Sequence, residues 1–205
     1  MSRNGRPSMV EAVTLGLVAT GAVSIAVGAI TGAVGAGIEI FGSPVPVPLP
    51  VEGASMTSLA DAAGVAAAEY TQSVVAVETM DAGTRWLLLA EVALPAVATV
   101  LVCLSLWWLG LSLIRQRAFR RSMAPTLGAA AIGLVVAGMI GPLLGGIGRA
   151  QLVERLTISG VDTTGFPAFL VELHLAPIGW GIALALVATA FEVGQRLQRE
   201  TEGLV

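Results

Sequence analysis

The chain has 205 residues, of which 55% are hydrophobic and 12% charged, with a net charge of −3 and a mean hydropathy of +0.84. That charged fraction is about half the roughly 25% of soluble domains, and the composition carries neither the basic face nor the aromatic-basic motif of a nucleic-acid binder. One cysteine and one histidine exclude an intrachain disulfide and a Cys/His zinc site, and the lone histidine supports no arguable Ser-His-Asp arrangement.

The first uncharged stretch runs from Ala12 to Ile38. A bilayer core of about 30 Å needs about 20 apolar residues, so this stretch suffices to cross one. Ser8-Met9-Val10-Glu11 has capping-box spacing, which starts a helix at Ser8. Arg3 and Arg6 precede it as in a signal peptide, but the run far exceeds an h-region of about 7–15 residues, and a retained first helix over about 8–38 is expected.

An outer segment over about 41–85 follows. It opens with Pro44-Val45-Pro46-Val47-Pro48-Leu49-Pro50, where proline at every second position forbids helix and leaves polyproline II or an edge strand. Ser58 to Glu69 has the spacing of a short helix, and Tyr70 to Thr79 leans toward β-structure. The six acids between the first span and Arg85 (Glu39, Glu52, Asp61, Glu69, Glu78 and Asp81) form no dense calcium-type loop.

The second span, Val92 to Ile114, extends back to Trp86 as a helix over 86–114. Trp86 and Trp107 lie 21 residues apart, about 31 Å along a helix, which places one aromatic belt at each interface. Glu91 is the ionisable residue inside this span, and Pro95 at i+4 cannot donate to its carbonyl, so a kink is expected there. An intramembrane acid is a candidate functional site: either a structural partner of Arg85 or Arg149, or a proton or cation site. Cys103, in the same span, is a small packing residue.

Arg115, Arg117, Arg120 and Arg121 crowd the loop over 115–124. They form a stop signal and a basic cluster able to face anionic lipid. The third span, Ser122 to Gly148, gives a helix over about 125–148 with Pro125 in its first turn. Gly141-x-x-x-Gly145 here and Gly28-x-x-x-Gly32 in the first helix are small-residue pairs that allow close helix packing. A second outer segment over about 149–174 follows, with strand-like Leu156-Thr157-Ile158 and a turn at Asp162-Thr163-Thr164-Gly165. It is expected to pack with the first outer segment as a small cap. The fourth helix, about 175–199, begins with Pro177 in its first turn, beside a lone His174.

Eight arginines lie before the first span, between the second and third, and after the fourth, against Arg85, Arg149 and Arg155 on the other side. The positive-inside rule then places both termini in the cytoplasm of a multi-pass plasma (inner) membrane protein. The expected fold class is an all-α membrane protein of one domain over 1–205. Four transmembrane helices run N-in and C-in beneath an extracytoplasmic cap that can include short β-strands.

Arg117-Ala118-Phe119-Arg120-Arg121, and the tail from Phe191 to Val205 with Gly194 and Leu197, resemble an uncharacterised bacterial family of four-helix membrane proteins, a domain of unknown function. Members carry a Phe in the loop before helix three and a Gly-x-x-Leu tail after helix four. Their genes often neighbour a small helix-turn-helix regulator, so the resemblance implies a regulatory or stress-related membrane role. The proline-rich outer loop of this chain departs from that pattern, and the resemblance brings no catalytic residues.

The residues offer no nucleophile–base pair, metal set or cofactor loop, so no enzyme activity and no cofactor is expected. The expected partners are the lipid bilayer and either a protein partner or further copies of the chain. The leading reading is a sensor, regulatory or accessory subunit working through protein contacts. Its rival is a small homo-oligomeric transporter or channel.

Overall fold

The computed structural model describes residues 9–55, 69–114 and 123–202. In chain order these form helix α1 (Met9–Phe41), strands β1 (Val45–Ser55) and β2 (Glu69–Val77), and helices α2 (Ala82–Ile114), α3 (Met123–Ile158) and α4 (Leu175–Glu202). The protein is mostly helical, with one two-stranded antiparallel sheet. All four helices are long and apolar enough to span a membrane, over Gly16–Phe41, Ala82–Leu111, Ala124–Ile158 and Leu175–Gly194. The expected short helix at Ser58–Glu69 falls largely outside the described residues.

All four helices are longer than a bilayer core needs, and the ends of α2 and α3 bear on the site. At 33 residues α2 measures about 50 Å, and at 36 residues α3 measures about 54 Å. The surplus of α2 lies at its start, where Asp81 serves as N-cap. Its Oδ2 accepts the Thr84 amide at 3.3 Å and its backbone oxygen accepts the Arg85 amide at 3.2 Å.

The surplus of α3 corrects the expectation of a helix ending at 148 and a strand at Leu156-Thr157-Ile158. Nothing between Arg149 and Ile158 breaks a helix. Leu152, Val153 and Leu156 fall on one face at i, i+1 and i+4, and burial of that face outweighs the β-preference of Thr157 and Ile158. The Thr157 hydroxyl bonds back to the Val153 carbonyl at 2.9 Å instead of opposing the helix. The helix stops in a Schellman motif at Gly160, whose φ of 81° suits glycine. The Val161 amide bonds to Leu156 O at 3.1 Å and the Gly160 amide to Thr157 O at 3.0 Å.

The fold comprises two compact units. One holds Val34–Ala93 and Ile140–Leu173; the other holds Met1–Ala33, Leu94–Met139 and His174–Val205, each counted over its described residues. The core of the first is the sheet. Val45, Val47 and Leu49 alternate with Pro46, Pro48 and Pro50 and are at most 1% exposed. They pack on Leu88 of α2 and on Leu152 and Val153 of α3, with Ile40, Val75, Val77 and Phe166 around them. The proline repeat therefore forms an edge strand, with its apolar residues inward and its prolines outward. Parts of both outer segments share this core.

In the second unit most of the buried residues are small, among them Ala98, Cys103, Ala130, Ala131, Ala137 and Ala188, with Leu127 the large exception. Small residues let helices approach where lipid gives no hydrophobic drive to do so. A Cβ at Gly138 would lie 3.2 Å from Pro177 Cβ, and one at Gly181 would lie 2.7 Å from Val135 Cγ2 and 2.9 Å from the Ala131 carbonyl oxygen. The two glycines interlock α3 with α4. Gly181→Ala meets backbone that cannot step aside, and a loss of about 1–3 kcal/mol is expected. Gly179→Ala, which meets nothing within 4 Å, is the matched control and should leave thermal unfolding in the same detergent unchanged.

Candidate functional site

Glu91 lies on α2 within the apolar span, a little over one turn beyond Trp86. Directly across, Arg149 on α3 meets it in a fork: Nη1 to Oε2 at 2.8 Å and Nη2 to Oε1 at 3.0 Å. This two-point geometry is the strongest arrangement open to the two groups. The side chains are 27% and 16% exposed, and their neighbours are helix faces of the same unit.

Gly145 makes the pairing possible. It sits one turn before Arg149, on the same face of α3, and a Cβ there would fall on the Glu91 carboxylate. Gly148 continues this face, where a Cβ would lie 3.3 Å from both Leu87 and Leu88. Gly145, Gly148, Arg149 and Leu152 thus form one α3 stripe against α2: a notch, a close approach, a cation and an apolar lock. Above Arg149 the remaining space is only about 10 Å³, roofed by Leu49, Pro50, Phe166 and Phe169. That is about one probe sphere, at the lower limit for a single water.

Arg85, the other candidate partner of Glu91, is engaged elsewhere. Its Nη1 donates to Ile40 O at 2.8 Å and Gly42 O at 3.0 Å, and its Nε donates to Met80 O at 3.3 Å. These are carbonyls at and just past the C-terminus of α1, where a helix leaves acceptors unsatisfied and favours a cation. Phe41 and Trp86 meet edge to face beside it, with ring centroids 5.2 Å apart.

A second polar group surrounds the start of α2. Asp81 Oδ1 accepts the Thr84 hydroxyl at 2.8 Å and an Arg155 guanidinium nitrogen at 2.8 Å. Thr84 also lies 3.1 Å from Gln151 Oε1. Its single hydroxyl hydrogen serves the carboxylate, so the Gln151 amide must present its NH₂ to Thr84, with oxygen and nitrogen exchanged. Asp81, Gln151 and Arg155 line an open groove of about 640 Å³ with Leu87, Glu154 and Ile158.

The Thr84 hydroxyl, then its amide and the Arg155 charge, hold the Asp81 carboxyl below its ordinary value of 3.8. A depressed carboxylate contributes stability that is complete above the unfolded value and lost as the pH falls through the folded one. Acid titration should therefore weaken the start of α2 below pH 3.8, and Thr84→Val should shrink that acid-sensitive step in hydrogen exchange of residues 82–88. The Asp162 carboxyl is lowered likewise, by the Thr164 hydroxyl and amide.

Of the residues singled out from sequence, Glu91, Arg149 and Gly145 come together, and Gly141 is buried one turn before Gly145. Gly28 and Gly32 are exposed, and a Cβ at either would meet nothing within 4 Å. Their small-residue face packs on no helix among the described residues. Arg115, Arg117, Arg120 and Arg121 lie outside the described residues. Gly148, Gly181 and the Asp81 cap were not anticipated, although Asp81 stands three residues before Thr84, the ordinary N-cap spacing. Among the described residues no three His, Cys, Asp or Glu side chains converge on a metal-sized site. No protein-family model, curated protein or solved structure matches the chain.

Proposed function

We propose that this is a non-enzymatic multi-pass membrane protein that acts through protein contacts, as a sensor, regulatory or accessory subunit. The observation that carries this reading is the Glu91–Arg149 fork. A proton or cation carrier needs its acid to exchange partners with the permeant species. Here both carboxylate oxygens are committed to a guanidinium, and the glycine notch that admits them leaves no slack.

In this reading the chain lies in the plasma (inner) membrane with both termini and the arginine cluster at 115–121 in the cytoplasm. The eight-to-three arginine count supports that orientation. The three arginines of the outer side are each engaged: Arg85 with carbonyls, Arg149 with Glu91, Arg155 with Asp81. The handle for a partner is then the cytoplasmic end of the chain, which pairs an amphipathic start with an apolar close at Leu204-Val205.

The test is extraction of the tagged chain into lipid nanodiscs, with mass measurement and identification of what co-purifies. A stoichiometric second protein is expected, lost on deletion of residues 200–205 while insertion persists. Unchanged association after deletion would overturn the role of the tail. Proton or cation flux in proteoliposomes, abolished by Glu91→Gln, would replace the whole reading with a transporter.

A further inference from the structure

The two edges of the sheet are chemically unlike. Three β1 residues are prolines facing β2 residues: Pro46 opposite Ala76, Pro48 opposite Val74 and Pro50 opposite Gln72. Proline has no N–H to exchange, so these are the non-hydrogen-bonded pairs of the ladder. The bonds pass instead through Val45↔Val77, Val47↔Val75 and Leu49↔Ser73. Residues in non-hydrogen-bonded pairs aim their backbone groups away from the partner strand. The outer edge of β1 thus offers prolines and is closed to further pairing.

Among the described residues the outer edge of β2 is open. There Gln72, Val74 and Ala76 aim N–H and C=O groups outward, and among the described residues no backbone bond reaches them from outside the ladder. All three side chains are exposed, Val74 by 66%. From Glu69 to Val77 the strand has no proline, lysine or arginine, the usual devices that blunt an edge.

We propose that β2 pairs antiparallel with β2 of a second copy of this chain, making a four-stranded sheet in the order β1-β2-β2-β1. The strand is self-complementary in the register centred on Ser73. Gln72 then faces Val74 of the second copy, and Tyr70 faces Ala76, so every outward N–H of the central stretch meets an outward carbonyl. The one charge of β2, Glu69, falls opposite Val77, and no two carboxylates meet. Both remaining edges are proline edges, so assembly closes at two copies. This pairing is independent of the proposed contact role of the tail.

The experiment uses the full chain in native-like membranes, with Cys103→Ala to remove the buried thiol. At the two-fold centre Ser73 forms a non-hydrogen-bonded pair with Ser73 of the other copy. Their Cα atoms then lie about 4.5 Å apart, inside the disulfide range. Ser73→Cys should link into a covalent dimer under mild oxidation. Wild type in nanodiscs should contain two copies of this chain whether or not another protein co-purifies, and Val74→Pro, which removes only an outward N–H, should lower that to one. A monomeric wild type, a foreign chain in place of the second copy, or a dimer indifferent to Val74→Pro overturns the proposal. If Val74→Pro does not fold, the Ser73→Cys link decides: its absence overturns the pairing.

Discussion

Arg149→Met is expected to lower stability by up to about 3–5 kcal/mol, the range for a fully buried pair, because it removes one member of a partly buried ion pair and orphans the other. Glu91 is held by two bonds of 2.8 and 3.0 Å and has a short stem, which cannot lift its carboxylate far along the helix. The reverse change, Glu91→Gln, should cost less. Arginine has the longer stem and can carry its charge toward an interface, and the amide keeps one acceptor for it. The double variant Glu91→Met with Arg149→Met should recover most of the loss, since apolar replacement of both members leaves no charge to desolvate. Thermal unfolding of the four proteins in one detergent measures the cycle. If the double variant were as unstable as Arg149→Met alone, the loss would come from the packing of the arginine stem, and the ion-pair account would fail.

The same site shows how much was legible in the chain beforehand. The four spans needed only length and apolarity, and Glu91 stood out because an ionisable residue there is rare. Its partner was left open between Arg85 and Arg149, yet helix geometry separates the two. Arg85 precedes Glu91 by six residues on one helix, about 240° around the axis at 100° per residue, so the two side chains face apart. Arg149 could not be chosen as firmly, because it lay beyond the expected end of α3. Thr157 and Ile158 suggested strand locally, and only burial of Leu152, Val153 and Leu156 against the sheet makes helix the better solution. Once α3 reaches Ile158, Gly145 and Arg149 share a face, and the glycine becomes a notch for a carboxylate. Its spacing from Gly141 marked a place for close approach without naming what approaches. Gly28 and Gly32 show the converse, since the same spacing there faces open space. Spacing tells which residues share a face and says nothing of what lies opposite.

The sheet supplies the other large effect. Leu49→Ala should cost about 2–5 kcal/mol, the range for deleting a buried leucine whose surroundings cannot collapse onto the gap. Leu49 is 1% exposed and belongs to the cluster that joins β1 to Leu88, Leu152 and Val153. Its two flanking prolines fix their own φ angles, so the strand has little freedom to close the cavity. Pro48→Ala is the informative contrast. Pro48 is exposed, opposite Val74, and takes no part in the buried core. That variant should leave folding stability within about 0.5 kcal/mol, as for ordinary surface changes, while giving the outer edge of β1 an N–H to donate. The two variants therefore separate the two jobs of the alternating repeat. Loss of Leu49 should release hydrogen-exchange protection across β2 and residues 149–158 together, because one core holds both. Loss of Pro48 should leave that protection intact and instead raise the tendency of the purified protein to form assemblies beyond its ordinary size. Uniform protection after Leu49→Ala would mean that the sheet is held by its ladder alone, and the shared core would not be what joins it to α2 and α3.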